Sequence, residues 1–414
     1  MSAILKRKVL YVRVQFVSPI SVSSGEDEFT DSDLLRNFDE EIFIPGTSLA
    51  GAMRSYLEKE GNEKSLMGYS DNDDVGKMSS LFISDLTFDE GVSLNVRDGV
   101  ALDENKVAKT NSKFDMEILE ARAKAHFYLE LTIRKDDDEK EMESALSKVF
   151  HGINNGEIRL GSKKTRGFGQ FKILSISTKT YDKDNYLKYA NAYDDETWKD
   201  LVNELPTWLE KAKYQPNAIH IEVPLRLEGG ISIRRYAAKK GEPDYEHITD
   251  HGVPVIPGSS FAGAIRHRIN TIFEDKKLLE KMFGSADKEN AHSSRIIINE
   301  TEIKDAKPLV MTRTGISRFE SSAKTGSLYK EKTYVDGNLV LKISVKGEEK
   351  NLVGILLLAI KDLQNGFLAV GGQTAIGRGV FSANGPILIN GQAGKEEEYI
   401  KDALTNLKMN GGKE

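Results

Sequence analysis

Apolar and polar positions alternate from Val9 to Val17, a stretch rich in β-branched residues, and this predicts a strand with one buried face. Beyond the turn at Pro45-Gly46, the apolar positions Leu49, Met53, Tyr56 and Leu57 fall on one helical face, with Thr47 or Ser48 expected as the cap. Strands are predicted over 81–88 and 126–133. An amphipathic helix over 142–153 should stop at Asn155-Gly156, where glycine can take the left-handed conformation. From 158 to 176 the pattern reads strand, glycine-rich bend, strand. The same order returns later: a strand over 219–227, a helix over 259–273, strands over 295–303 and 339–345, a helix over 352–363, and a bent strand over 367–381.

The repetition is literal as well as periodic. Ile44-Pro-Gly-Thr-Ser-Leu-Ala-Gly-Ala-Met-Arg54 recurs as Ile256-Pro-Gly-Ser-Ser-Phe-Ala-Gly-Ala-Ile-Arg266, a shift of 212 positions (258 minus 46). Gly161-Ser-Lys-Lys-Thr-Arg-Gly-Phe-Gly169 recurs as Gly371-Gly-Gln-Thr-Ala-Ile-Gly-Arg-Gly379, a shift of 210 (371 minus 161). Two motifs repeating in order at nearly one offset imply a tandem duplication of a unit of roughly 170 residues. Each copy reads β-α-β-β-α-β, the ferredoxin-like split unit. Each also carries a long insertion between its second and third strands, about residues 90–122 and 304–336, and loops of that length are usually functional or disordered. The expected division is a first unit over 1–178, a connector over 179–215, a second unit over 216–390 and a polar tail over 391–414. Within the connector, Thr197 to Lys211 reads as a short helix interrupted at Pro206.

Composition narrows the classes. Charged residues at 29% and hydrophobic residues at 39% describe an ordinary globular chain. No apolar run is long enough to span a bilayer, and the N-terminus lacks the pattern of a signal peptide, so a cytoplasmic protein without a membrane partner is expected. The chain has no cysteine, which excludes disulfides, thiolate catalysis and cysteine-based zinc sites. A net charge of −6 argues against nucleic acid if read as a sum, but a binding groove is local. Acid gathers at 71–74, 136–139 and 194–196. Base gathers beside the repeated motifs, at Lys163, Lys164, Arg166, Arg234, Arg235, Lys239, Lys240, Arg313, Arg318 and Lys324.

The glycine-rich bend permits positive φ and close approach to a ligand, and its N–H groups suit phosphate oxygens. It is neither a Walker loop nor a dinucleotide fingerprint, because it turns into a strand. The same glycines also suit a sharp hairpin with no ligand at all. Gly followed by Ser or Thr at a helix start is an anion site in principle. Asp244, His247 and His251 have ligand chemistry but no fixed spacing, and a polar loop is the simpler reading.

Taken together, the paired IPG(S/T)S helices and glycine-rich bends resemble the RAMP (repeat-associated mysterious protein) superfamily of CRISPR systems. Arg97-Asp-Gly-Val100 with the stretch Lys109 to Glu117 resembles the insertion of the repeated backbone subunit of type III effector complexes. So does Arg313-Thr-Gly-Ile316 with Lys324 to Tyr329. Two such units in one chain resemble the fused backbone subunits of III-D-like systems. The resemblance implies an α+β fold of two tandem ferredoxin-like, RRM-like units, each with a thumb-like insertion. It implies guide CRISPR RNA, complementary target RNA, other RAMP subunits and the large subunit as partners. It also implies cleavage of target RNA supported by a loop aspartate and a divalent metal, expected to be Mg2+. Asp31 and Asp244 match that loop position before the two IPG motifs, with Asp33 as the rival to Asp31. RNA contacts are expected from Lys163, Lys164, Arg166, Arg54, Arg266 and Arg378, and from Arg97, Lys109, Arg313, Arg318 and Lys324 of the insertions. Two alternatives stand beside this reading: a structural guide-binding subunit with inert aspartates, and a guide-processing endonuclease of the same superfamily.

Overall fold

A computed structural model describes the chain except residues 1, 24–29, 62, 71–75, 104–106, 199–213, 237–241, 288 and 411–414. Most of the expected connector helix, and Lys239 and Lys240, therefore lie outside the described residues. The chain forms two compact mixed α/β units. The first takes in residues 1–97, 114–164 and 168–216, and the second takes in 98–113, 165–167 and 217–414.

In the first unit Ile4–Phe16 lies centrally, antiparallel to both Phe171–Tyr181 and Lys124–Arg134. Lys124–Arg134 in turn pairs with Leu81–Ile83 and Leu86–Phe88. Alternation sends Leu10, Val12, Val14 and Phe16 to one face, where they meet Phe127, Leu129 and Leu131 from the neighbouring strand. Two helices cover that face. Gly46–Glu60 contributes Leu49, Met53 and Leu57, and Glu139–Asn154 contributes Leu146, Val149 and Phe150. Asp138 caps the latter by accepting from the N–H groups of Lys140 and Glu141, at 2.9 and 3.2 Å.

The first of these helices starts earlier than its sequence suggests. Pro45 is the cap residue, and neither Thr47 nor Ser48 makes a side-chain cap. The strand expected over 81–88 breaks at Ser84-Asp85, and Asp85 accepts the Gly46 N–H at 2.8 Å. A capping carboxylate thus arrives from another strand and fills the anion position that the helix start offers. Gly46 is required there, because a Cβ would lie 2.4 Å from the Ile83 carbonyl oxygen.

The second unit repeats the plan. Ala218–Glu228 pairs with Asn338–Lys346 and with Val380–Ala383, and Ile296–Ile298 extends the sheet beyond Asn338–Lys346. Helices Gly258–Phe273 and Lys350–Gln364 bury Phe261, Ile265, Leu356 and Ile360 against Ile221, Val223 and Leu341. The polar tail contains helix Glu396–Asn410, which packs Tyr399 and the buried Ala403 over Gly354.

Both insertions are β-ribbons. Leu94–Leu102 pairs with Ala108–Leu119 in a two-stranded sheet. Lys307–Arg313 runs antiparallel to Tyr329–Val335, from Lys307 opposite Val335 to Arg313 opposite Tyr329.

Candidate functional site

In each unit three parts converge: the loop before the IPG motif, the strand returning from the insertion, and the glycine-rich bend. In the first unit Asp31 and Asp115 hold one another reciprocally. The Asp115 N–H donates to Asp31 Oδ2, and the Asp31 N–H donates to Asp115 Oδ1, both at 2.9 Å. The Glu117 N–H donates to the Ser32 carbonyl at 3.0 Å. The Glu117 carboxylate accepts from the Leu34 N–H at 3.0 Å and from the Arg36 guanidinium at 2.7 Å. The loop is therefore fixed as an extra rung on the return strand. Asp31 is exposed. Asp33, its rival, is 3% exposed and accepts from the Thr30 hydroxyl at 2.5 Å.

The second unit makes the same junction. Tyr245–His247 runs parallel to Tyr329–Val335, and the Lys330 N–H donates to Asp244 Oδ2 at 2.7 Å. Asp31 and Asp244 therefore occupy matching places, each an exposed loop carboxylate accepting one backbone N–H from the return strand. Their surroundings differ. Where the first unit has Asp115, the second has Lys330. Sequence reading did not single out either residue, since each lies more than 80 positions from its partner.

The bends reveal a second paired difference. In the first unit Phe168 packs with Met116 and Ile118, and Lys163 lies 4.0 Å from the centre of the Phe114 ring. In the second unit Arg378 stands where Phe168 stands, and Glu331 where Met116 stands. Arg378 donates to Glu331 at 2.5 Å, and Ser232 also donates to Glu331, at 3.3 Å. Arg313 Nε sits 3.7 Å from the same carboxylate. Arg378 is 5% exposed and Glu331 1%, so an apolar contact in one copy is a buried ion pair in the other. The bends themselves are alike. Gly169 (φ 71°) and Gly379 (φ 69°) each sit where a Cβ would come within 1.8 Å of a carbonyl oxygen, that of Leu160 or Val370.

The remaining cations divide by environment. Lys164, Arg166, Arg266, Lys109, Arg318 and Lys324 are exposed. Arg54 donates to the Met67 and Gly68 carbonyls at 2.6 and 3.2 Å, tying its helix to the end of Glu63–Met67. Arg97 is 8% exposed with its guanidinium 5.7 Å from the Phe168 ring centre. Arg54, Arg97 and Arg378 thus have structural partners of their own. His247 is a core residue: its Nδ1 accepts from Ile233 N–H, its Nε2 donates to the Val255 carbonyl, both at 3.0 Å, and burial pushes its pKa down to about 4. Both ring nitrogens are committed to backbone, which leaves none for a metal.

The arrangement is a duplicated mixed α/β unit, each copy with a glycine-rich bend and an exposed loop carboxylate tethered to the return strand. The family model of the RAMP superfamily matches it over residues 13–172 and again over 224–382. The chain belongs to the RAMP superfamily, and membership implies CRISPR-associated RNA binding. Comparison with curated proteins finds no match. Among the described residues no helix is long and apolar enough to cross a membrane.

Proposed function

We propose that this chain is a cytoplasmic, fused backbone subunit of a type III, III-D-like CRISPR effector complex. It holds guide RNA along both units and cleaves the paired target RNA beside each insertion. The observation that carries this reading is the matched pair of loop carboxylates, Asp31 and Asp244, each held by the backbone of its insertion's return strand. The sheet order supports the ferredoxin-like reading of each unit. The strand after the bend, the first strand, the strand after the insertion and the strand before it lie side by side in both copies.

RNA carries its own nucleophile, the 2′-hydroxyl, so a cleaving subunit must chiefly fix geometry and manage charge. Asp31 suits that task, because its backbone tether leaves Oδ1 directed by a rigid rung. Asp115 Oδ1 accepts from the loop backbone beside it, so two carboxylates share one exposed place. Such a pair fits a hard divalent cation, which prefers carboxylate and water oxygens. When bound, the ion would lower the cost of negative charge on the scissile phosphate. Lys330 makes the second unit a poorer cation site, and Asp244 alone would have to orient the strand there. The proposed guide contacts are Lys163, Lys164, Arg166, Arg266 and the exposed insertion cations Lys109, Arg318 and Lys324. They should address phosphate and sugar, because a guide subunit must accept any sequence.

Target cleavage by the assembled complex, with and without Mg2+, tests the reading. Asp31→Ala should remove one cut and Asp244→Ala another, with target binding intact, and the Asp31 cut should depend more steeply on Mg2+. If both variants and Asp33→Ala cut at the parental rate, the aspartates are inert and the chain is a structural guide-binding subunit.

A further inference from the structure

The outer face of the first sheet carries a cavity that the loop carboxylates and the bend do not use. Because Leu10 and Val12, with Phe127 and Leu129, point into the core, Val9 and Tyr11 share the opposite face with Tyr128 and Glu130. Residues 182–198 cross this face. Trp198 stacks on Tyr11 with ring centres 5.8 Å apart and 20° between planes, and the Tyr128 hydroxyl donates to Asp195. What they leave uncovered is a cavity of about 650 Å³, between Tyr189 and Tyr193 on one side and Met78–Phe82 on the other, with Glu130 on the sheet beneath. The second sheet has no such aromatic face among its described residues. Its outward cross-strand pairs there are Glu222 with Lys342 and Pro224 with Val340.

Two facts restrict what can enter. Glu130 is 2% exposed, and its carboxylate accepts from Arg7, Thr132, Tyr189 and Tyr193. Burial raises its pKa, but the tyrosine and arginine donors outweigh that and hold it below the usual carboxylate range. Four donors saturate an ionised carboxylate, so Glu130 offers nothing to a cation or to a ligand N–H. Arg134 is the opposite case. It donates to the Ser80 hydroxyl at 2.7 Å and to the Ser79 carbonyl at 3.5 Å. A guanidinium has five N–H donors, so capacity remains for an incoming acceptor. The second fact is the exposed apolar rim: Phe82 is 53% exposed and Met78 67%, with the Tyr193 ring edge-on to Phe82 at 5.9 Å. A cationic donor beside exposed aromatic rings calls for a planar ring that carries an anion. The volume lies in the range of small-ligand pockets, roughly 300–1,000 Å³.

We propose that this cavity binds a nucleotide, the base against Phe82 and Tyr193 and the phosphate on Arg134, supplied either free or as part of a single strand. Stacking on an aromatic side chain is worth about 1–3 kcal/mol per base, so losing it weakens binding by about 5- to 150-fold.

The test is titration of the full, RNA-stripped chain with AMP, adenosine and hexa-adenylate. Parent protein should bind AMP, and Phe82→Ala should raise Kd by about 5- to 150-fold. Arg134→Gln should do the same for AMP but not for adenosine. Binding of AMP alone identifies a free nucleotide as the source, and comparable or tighter binding of hexa-adenylate identifies a strand. Absence of AMP and hexa-adenylate binding, or equal binding by the parent and Phe82→Ala, overturns the proposal. Phe82 lies outside the proposed guide contacts, so Phe82→Ala should retain guide RNA in the assembled complex. Failure of the guide-subunit reading would therefore appear in a different measurement.

Discussion

Exchanging the buried ion pair of the second unit for the apolar pair of the first should be nearly neutral, whereas each half of the exchange should be severe. Glu331→Met leaves the Arg378 guanidinium 5% exposed and without its carboxylate. Breaking a buried pair in this way costs about 3–5 kcal/mol. Arg378→Phe leaves Glu331 buried, but Arg313 at 3.7 Å and the Ser232 hydroxyl remain, so its cost should sit near the lower end, about 3 kcal/mol. The double variant places Met beside Phe, the pair that already packs as Met116 and Phe168 in the first unit. Its residual cost is the Ser232 hydroxyl, which loses its acceptor, and should be about 1 kcal/mol. Thr333 stays satisfied, because its hydroxyl faces the Leu309 carbonyl at 3.4 Å. The coupling between the two sites should therefore approach about 5–7 kcal/mol by the same magnitudes. Urea unfolding followed by hydrogen exchange in peptides from Lys307–Arg313 and Asn338–Lys346 would isolate the second unit. If the double variant is as unstable as the sum of its halves, the bend is not an interchangeable module.

Three other outcomes follow from the same contacts. Gly169→Ala and Gly379→Ala must displace a carbonyl that a Cβ would meet at 1.8 Å, whereas Gly377 (φ 83°) has no atom within 4 Å of its Cβ position. Gly377→Ala should then cost only the left-handed penalty, about 1–2 kcal/mol, and thermal melts should rank the other two well below it. Because His247 is held at about 4 against 6.5 in an unfolded chain, the unfolded state binds the extra proton between those values, and stability should fall as pH drops from 6.5 to 4. The loss is about 3 kcal/mol in all, and His247→Gln should flatten the slope in pH-dependent unfolding. Neutralising Lys164 and Arg166 together should weaken RNA retention and reduce the salt slope by about 1.4, since each single-strand phosphate contact contributes about 0.7. An unchanged slope would place those two side chains away from the RNA.

The duplication, the element order and the insertions were legible because they are written in periodicity and repeated words, which need no tertiary knowledge. The helix start at Gly46 was misread because the carboxylate that satisfies its N–H is Asp85, 39 positions away, and local rules see only Thr47 and Ser48. The cations were legible as charges but not as partners. Arg54 spends its donors on the carbonyls of Met67 and Gly68, and Arg378 on Glu331, and nothing in the order of residues reveals either.

The second return strand falls inside the insertion over 304–336, where the sequence pattern assigns no element. It runs Tyr-Lys-Glu-Lys-Thr-Tyr-Val, yet Glu331 is 1% exposed and Thr333 fully buried. Only alignment of the two copies exposes the reason. Positions 116, 118 and 168 are Met, Ile and Phe in one unit, and their counterparts 331, 333 and 378 are Glu, Thr and Arg in the other. A buried charge left unpaired is penalised by several kcal/mol, so Glu331 and Arg378 are stable there as a pair. The residues that tether the loop carboxylates sit one position away from this divergent core, with Asp115 beside Met116 and Lys330 beside Glu331. The same strand that carries the altered packing also carries the altered charge at the candidate site. Transplanting Asp115 into the second unit as Lys330→Asp should therefore raise the Mg2+ sensitivity of the Asp244 cut. Exchanging the buried pair alone should not.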